Sequence, residues 1–260
     1  MSTHDFLTTA WRWNPALIMV CIVALAAHVL IFGLSRRTGF LAAALGVILL
    51  TFQSPIETLA DGYLFSAHMF NHLLMVLIVP PLLLLSLPKT LTNRKFAPVL
   101  LGWSMGVGAM WIWHIPSLCN ASVESAPIRV VQVLSLLTMG ALYWQPIFGP
   151  GKRLSAPAGM VYLFTACVAC TLLGIGITFS PVSVCPVYVH PIDRLGIMPL
   201  IQGQWGLTPE KDQQIAGLLM WVPPCLVYLS CILGLMNRWF RQPNDLPASA
   251  PGAAPRQTNV

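Results

Sequence analysis

Seven stretches of this chain are apolar, and short connections carrying most of its charge separate them. They run Pro15–Leu34, Phe40–Phe52, His68–Leu87, Phe96–Ile115, Ile128–Phe148, Ala158–Phe179 and Gln213–Met236. A hydrocarbon core about 30 Å thick takes roughly 20 residues of helix. Six segments meet that length; the second falls short unless it extends through Ser54. Apolar residues make up 56% of the chain and charged residues 8%, against about 25% charged in soluble domains. The expected fold is therefore all-α, a polytopic membrane bundle of seven transmembrane helices over residues 1–241. The remaining residues, 242–260, are rich in Pro, Ala and polar groups and read as a disordered cytoplasmic tail.

The net charge of +6 would suit a nucleic-acid binder, but its distribution does not. Arg36, Arg37, Lys89, Arg94, Lys95, Lys152, Arg153, Arg238, Arg241 and Arg256 lie in alternate connections and at the C-terminus. Only Arg12, Arg129, Arg194 and Lys211 lie on the opposite side. The positive-inside rule then puts the N-terminus outside and the C-terminus in the cytoplasm. Of the acidic residues only Asp245 falls inside. Omitting the second segment would scramble this asymmetry, so the charges favour seven spans. The first segment lacks a basic n-region, and its Arg pair follows the apolar run, so it reads as an N-out anchor and not as a cleavable signal. Trp11, Trp13, Trp111 and Trp113 fall at predicted outer ends, and Trp144 and Trp239 at inner ends, as an aromatic belt would.

Within this frame, chemistry gathers at one membrane face. His68 and His72 stand at i and i+4 in His68-Met69-Phe70-Asn71-His72, so a helix places both imidazoles on one side. His114 ends the next span, in Trp111-Ile112-Trp113-His114, and emerges at the same depth. The short connection between these spans predicts antiparallel contact. Three imidazoles together form a candidate metal site, suited to Zn, Cu, Fe or Ni. Asp61 and Asp212 are candidate additions, as ligands or as partners that fix an imidazole tautomer; Asp212 alternatively caps the seventh helix. Glu57 joins this stripe only if the helix runs unbroken past Ser54-Pro55 and Gly62. Met69 and Met110 carry the thioether sulfur that favours Cu(I), although methionine is also an ordinary filler of apolar space. His28 lies deep in the first span as a packing residue, His4 is solvated, and His190 sits in the long outer connection, within reach of the site.

Cys167 and Cys170 form a C-x-x-C inside the sixth span and read chiefly as small buried residues. Cys119 and Cys185 both fall in outer connections, where an oxidising compartment permits a disulfide. The prolines of Pro80-Pro81 and Pro223-Pro224 should disturb their helices. The seventh span has no lysine for a retinal Schiff base, and no phosphate-binding loop, dinucleotide fingerprint or nucleophile elbow is present.

Three motifs occur in order over about Leu50 to Met236. The first is Ser54-Pro55-Ile56, Asp61, Phe65-Ser66-Ala67-His68-Met69-Phe70-Asn71-His72-Leu73-Leu74 and Pro80-Pro81-Leu82-Leu83. The second is Trp113-His114-Ile115-Pro116; the third is Asp212-Gln213-Gln214, Ala216-Gly217 and Met220-Trp221. Together they resemble the CtaG family of multi-span cytochrome c oxidase assembly factors. The resemblance implies a bacterial inner-membrane protein that helps mature a haem–copper oxidase, by delivering copper. Its motif residues map onto His68, His72, His114 and Asp212. It implies a cytochrome c oxidase subunit or copper chaperone as partner. This points to an assembly factor or metallochaperone in preference to an enzyme. Two alternatives stay open: a membrane redox enzyme with His-ligated haem or metal, and a copper transporter.

Overall fold

The computed structural model describes residues 2–88, 98–151 and 153–241. Every regular element among them is helical. The predicted tail (242–260), Lys152, and most of the connection carrying Lys89, Arg94 and Lys95 lie outside the described residues. A short helix, α1 (Thr3–Thr9), precedes α2 (Pro15–Phe32), which Asn14 caps by accepting from the amides of Ala16 and Leu17. Gly33, at φ 71°, ends α2 in a conformation that favours glycine. Next come α3 (Arg36–Gln53), the short α4 (Pro55–Ala60) and α5 (Phe65–Leu73). A π-helical turn, Leu74–Ile78, joins α5 to α6 (Val79–Ser86). The rest comprises α7 (Val99–Trp113), α8 (Pro116–Glu124), α9 (Ala126–Phe148), α10 (Ala156–Thr178) and α11 (Pro209–Phe240).

Among the described residues, five helical units are long and apolar enough to cross a membrane: α2, the α5–α6 unit, α9, α10 and α11. Helices α3 and α7 occupy the places of the second and fourth predicted spans. The former begins at Arg36, four residues before the predicted segment. The latter has 15 residues, about 22 Å of helix at 1.5 Å per residue, and ends before His114 because Pro116 opens α8.

Close approach between helices uses small residues. A side-chain carbon on Gly174 of α10 would lie 2.6 Å from Trp221 and 2.9 Å from the Gly217 carbonyl of α11. Gly102 and Gly106 bring α7 onto Leu142 and Tyr143 of α9 in the same way. Thus α7 packs chiefly on α9, and the predicted contact with the α5–α6 unit narrows to side chains at the His114 end of α7. Val20, Val23, Leu30 and Ile31 of α2, and Val161, Phe164 and Leu172 of α10, face outward. An apolar surface of that extent is stable only against another apolar phase.

The predicted disturbance at Pro80-Pro81 takes a specific form. Pro80 has no N–H for the carbonyl of Val76. The helix widens into the π turn just before it, and the Trp144 indole of α9 donates to that carbonyl at 2.8 Å.

Candidate metal centre

His68 and His72 lie one turn apart on α5, with ring centroids 4.4 Å apart. His114, the residue after the last turn of α7, brings its ring to 5.9 Å from that of His72. All three imidazoles are buried, at 3%, 5% and 5% exposure. Among the described residues, Nε2 of His68 and both ring nitrogens of His72 lack a hydrogen-bond partner in good geometry, with the Gln132 side chain the nearby polar group at His72. Buried polar atoms are nearly always paired, so three orphans in one cluster need an explanation. Imidazoles bound to one ion through bonds of about 2.0 Å at a tetrahedral angle stand with centroids about 5 Å apart; the two measured separations bracket that spacing. No three His, Cys, Asp or Glu groups among the described residues already stand as a ready-made ligand set. Convergence on one ion therefore requires the rings to turn.

His114 is oriented by its own helix. Its Nδ1 donates to the Met110 carbonyl at 2.5 Å, and its Nε2 faces the Met69 sulfur at 3.0 Å. Met110 thus enters through its backbone, while Met69 enters through its thioether.

The two aspartates, expected as ligands or as partners of an imidazole, with a helix cap as the alternative for Asp212, meet other groups in this structure. Asp212 lies in the first turn of α11, yet it caps α5. It accepts from the amides of Phe65 at 2.6 Å and Ser66 at 3.1 Å, and from the Ser66 hydroxyl. Helix α11 is capped by Thr208 instead. Both Asp61 oxygens are held by guanidinium groups, Arg12 and Arg129, each at 2.5 Å. Arg129 also reaches Glu57 at 2.8 Å, and Glu57 accepts from the Asn71 amide at 2.8 Å. A chain of charges thereby runs from Arg12 to Asn71, the neighbour of His72. Burial would raise the Asp61 carboxyl, but the two arginines outweigh it and hold its pKa below the usual value. Burial dominates at Glu57, pushing its pKa to about 7 against the pull of Arg129. The stripe of Glu57, Asp61, His68 and His72 is broken as Ser54-Pro55 and Gly62 suggest: α4 stops at Ala60, and Gly62 turns the chain at φ 99°. A cleft of about 440 Å³ opens beside this charge chain, bordered by Leu17, Glu57, Arg129 and Val133, and not beside the imidazoles.

The long connection before α11 covers the cluster, but through Tyr188 and not His190, which is exposed. The Tyr188 ring stands 6.0 Å from that of His68 and 5.6 Å from that of Phe65. Its hydroxyl donates to the Ala60 carbonyl at 2.6 Å. A disulfide between Cys119 of α8 and Cys185 fastens this cover three residues before Tyr188. His28 donates to the Ser86 carbonyl at 3.3 Å, far from the cluster, as a packing residue should. The C-x-x-C sulfurs both turn toward α11: Cys167 meets Cys225 at 2.8 Å, and Cys170 faces the Tyr228 hydroxyl at 4.0 Å.

An all-helical, multi-pass membrane protein with a buried imidazole cluster near one end of its bundle is the class these features define. The family model described as "cytochrome c oxidase caa3 assembly factor" matches residues 16–242, and the chain belongs to that family. An uncharacterized protein of Mycobacterium leprae (strain TN) is 24% identical over 272 residues, covering 90% of this chain and 40% of that protein. The chain thus spans about two fifths of that relative's length. No solved structure matches it.

Proposed function

We propose that this protein supplies copper during assembly of a haem–copper cytochrome c oxidase, holding the ion on His68, His72 and His114. In this reading the chain crosses a bacterial inner membrane seven times, with its N-terminus outside, and the imidazoles lie near the outer face. The unpartnered nitrogens of His68 and His72 carry the proposal: each neutral ring has one bare lone pair, and on both rings a buried nitrogen is free to present it to a metal. Asp212 and the Arg129–Glu57–Asn71 chain hold α5 in place; neither is a ligand. The Cys119–Cys185 disulfide suits an oxidising outer compartment. The charge asymmetry supports the same orientation. The partner is an oxidase subunit awaiting copper, or a chaperone that hands copper on.

The two alternatives have less support. A haem held by His68 or His72 together with His114 needs a free His114 nitrogen, but its Nδ1 meets the Met110 carbonyl at 2.5 Å and its Nε2 the Met69 sulfur at 3.0 Å. Along the α5–α6 unit the buried residues that follow His72 up to Pro80 are Leu73, Met75, Val76, Leu77, Val79 and Pro80, which offer no polar path for transport on that unit.

The test is oxidase copper. Cells carrying His68→Ala/His72→Ala should assemble oxidase with several-fold less copper per enzyme than the parent, at equal levels of the assembly factor. Unchanged copper loading would overturn the proposal. So would a Soret band in the purified protein, which would assign the histidines to haem.

A further inference from the structure

We infer that Met69 is a fourth ligand and that the site selects Cu(I) over divalent ions. This rests on the copper reading above and adds the oxidation state to it. The observation is a contact with no hydrogen in it. The Met110 carbonyl can only accept, so the His114 Nδ1 at 2.5 Å from it carries the ring proton. In the neutral ring, Nε2 then presents a bare lone pair. That lone pair faces the Met69 sulfur at 3.0 Å, and a thioether has no hydrogen to donate. Two acceptors pressed together in a dry interior repel. A cation bound to both turns the repulsion into two bonds. Ligand bonds of about 2.0 Å to nitrogen and 2.3 Å to sulfur at a tetrahedral angle hold the two atoms roughly 3.5 Å apart, close to the separation seen. The other way to relieve the contact is an imidazolium that donates to sulfur. It would settle His114 alone and leave the orphaned nitrogens of His68 and His72 as they are, whereas one shared ion engages all three rings.

The same engagement sets the charge preference. Three imidazoles and a thioether are all neutral, so the bound ion keeps its full charge. The cost of burying a charge rises with its square, so a dication costs roughly four times as much as a monocation in the same site. Soft sulfur acts in the same direction, since thioethers select Cu(I). Met69 lies between the two histidines on α5 and is 1% exposed, so water does not compete for the position.

Titration of the purified protein with Cu(I), against a chromophoric Cu(I) chelator, and separately with Zn(II) tests this. In Met69→Leu the Cu(I) affinity should fall at least tenfold and the Zn(II) affinity stay within twofold. Cu(I) binding equal to the parent's would make Met69 a packing residue and overturn the inference. His72→Ala should lose both ions; full Cu(I) binding there would sink the copper site itself, which separates the two failures. Leucine keeps the volume of methionine. A second measurement leaves the fold untouched: with selenomethionine in place of methionine, X-ray absorption at the selenium edge should show copper at bonding distance after Cu(I) loading. Its absence would equally overturn the inference.

Discussion

Asp212 caps a helix that begins 147 residues earlier in the chain. Its carboxylate takes the amides of Phe65 and Ser66 at the start of α5, where the helix dipole favours a negative charge. Asp212→Ala leaves these donors without a partner and should cost about 2 kcal/mol, read as a lowered thermal midpoint in detergent, together with weaker metal binding. A midpoint equal to the parent's would show that the cap does not hold α5. At this scale the sequence displayed the histidines, because i, i+4 spacing is local. It displayed Asp212 as a polar residue at a helix start, but not which helix it serves. Tyr188, Arg129 and Asn71 carried no local signal at all: their roles depend on which helix ends meet. Met69 was visible as a candidate, and only the contact with His114 gives its sulfur a direction.

Helix ends and helix interruptions decide where those side chains stand. The α5–α6 unit could not continue as a plain α-helix through Pro80, and the π turn before it leaves the Val76 carbonyl to Trp144. Trp144→Phe keeps the aromatic bulk and removes the donor. An unpaired buried carbonyl costs about 1–3 kcal/mol, so the variant should melt earlier than the parent by a corresponding margin in a detergent thermal scan; an unchanged midpoint would mean that the carbonyl finds another donor. Most elements were legible from apolar length alone. Phe40–Phe52 looked short because its first turn is Arg36-Arg37-Thr38-Gly39, polar residues that hydropathy does not count as helix. The predicted contact between consecutive spans holds only at the His114 tip of α7. Gly102 and Gly106 draw α7 onto α9, and the pairing of small residues with partners far along the chain is not a local property.

Across the whole molecule, polar chemistry collects at the end of the bundle where α4, α5, α8 and the start of α11 meet. Elsewhere the interior is mainly apolar, with a tyrosine group of Tyr143, Tyr162 and Tyr228 between α9, α10 and α11, and α2 lies on the outside with Cys21 its one buried residue. The disulfide, the Tyr188 cover and the charge chain all surround the imidazoles, so the fold invests its irregular structure around one cluster. That concentration is what an ion-holding site requires and what a channel would lack. The most direct test of the account is copper K-edge X-ray absorption on the purified protein loaded with one equivalent of Cu(I). The account predicts a shell dominated by imidazole nitrogen, with outer-ring scattering from His68, His72 and His114, that disappears in His72→Ala. A shell of sulfur alone, placing the ion on the α10–α11 cysteines, or a signal unchanged by His72→Ala, would contradict it.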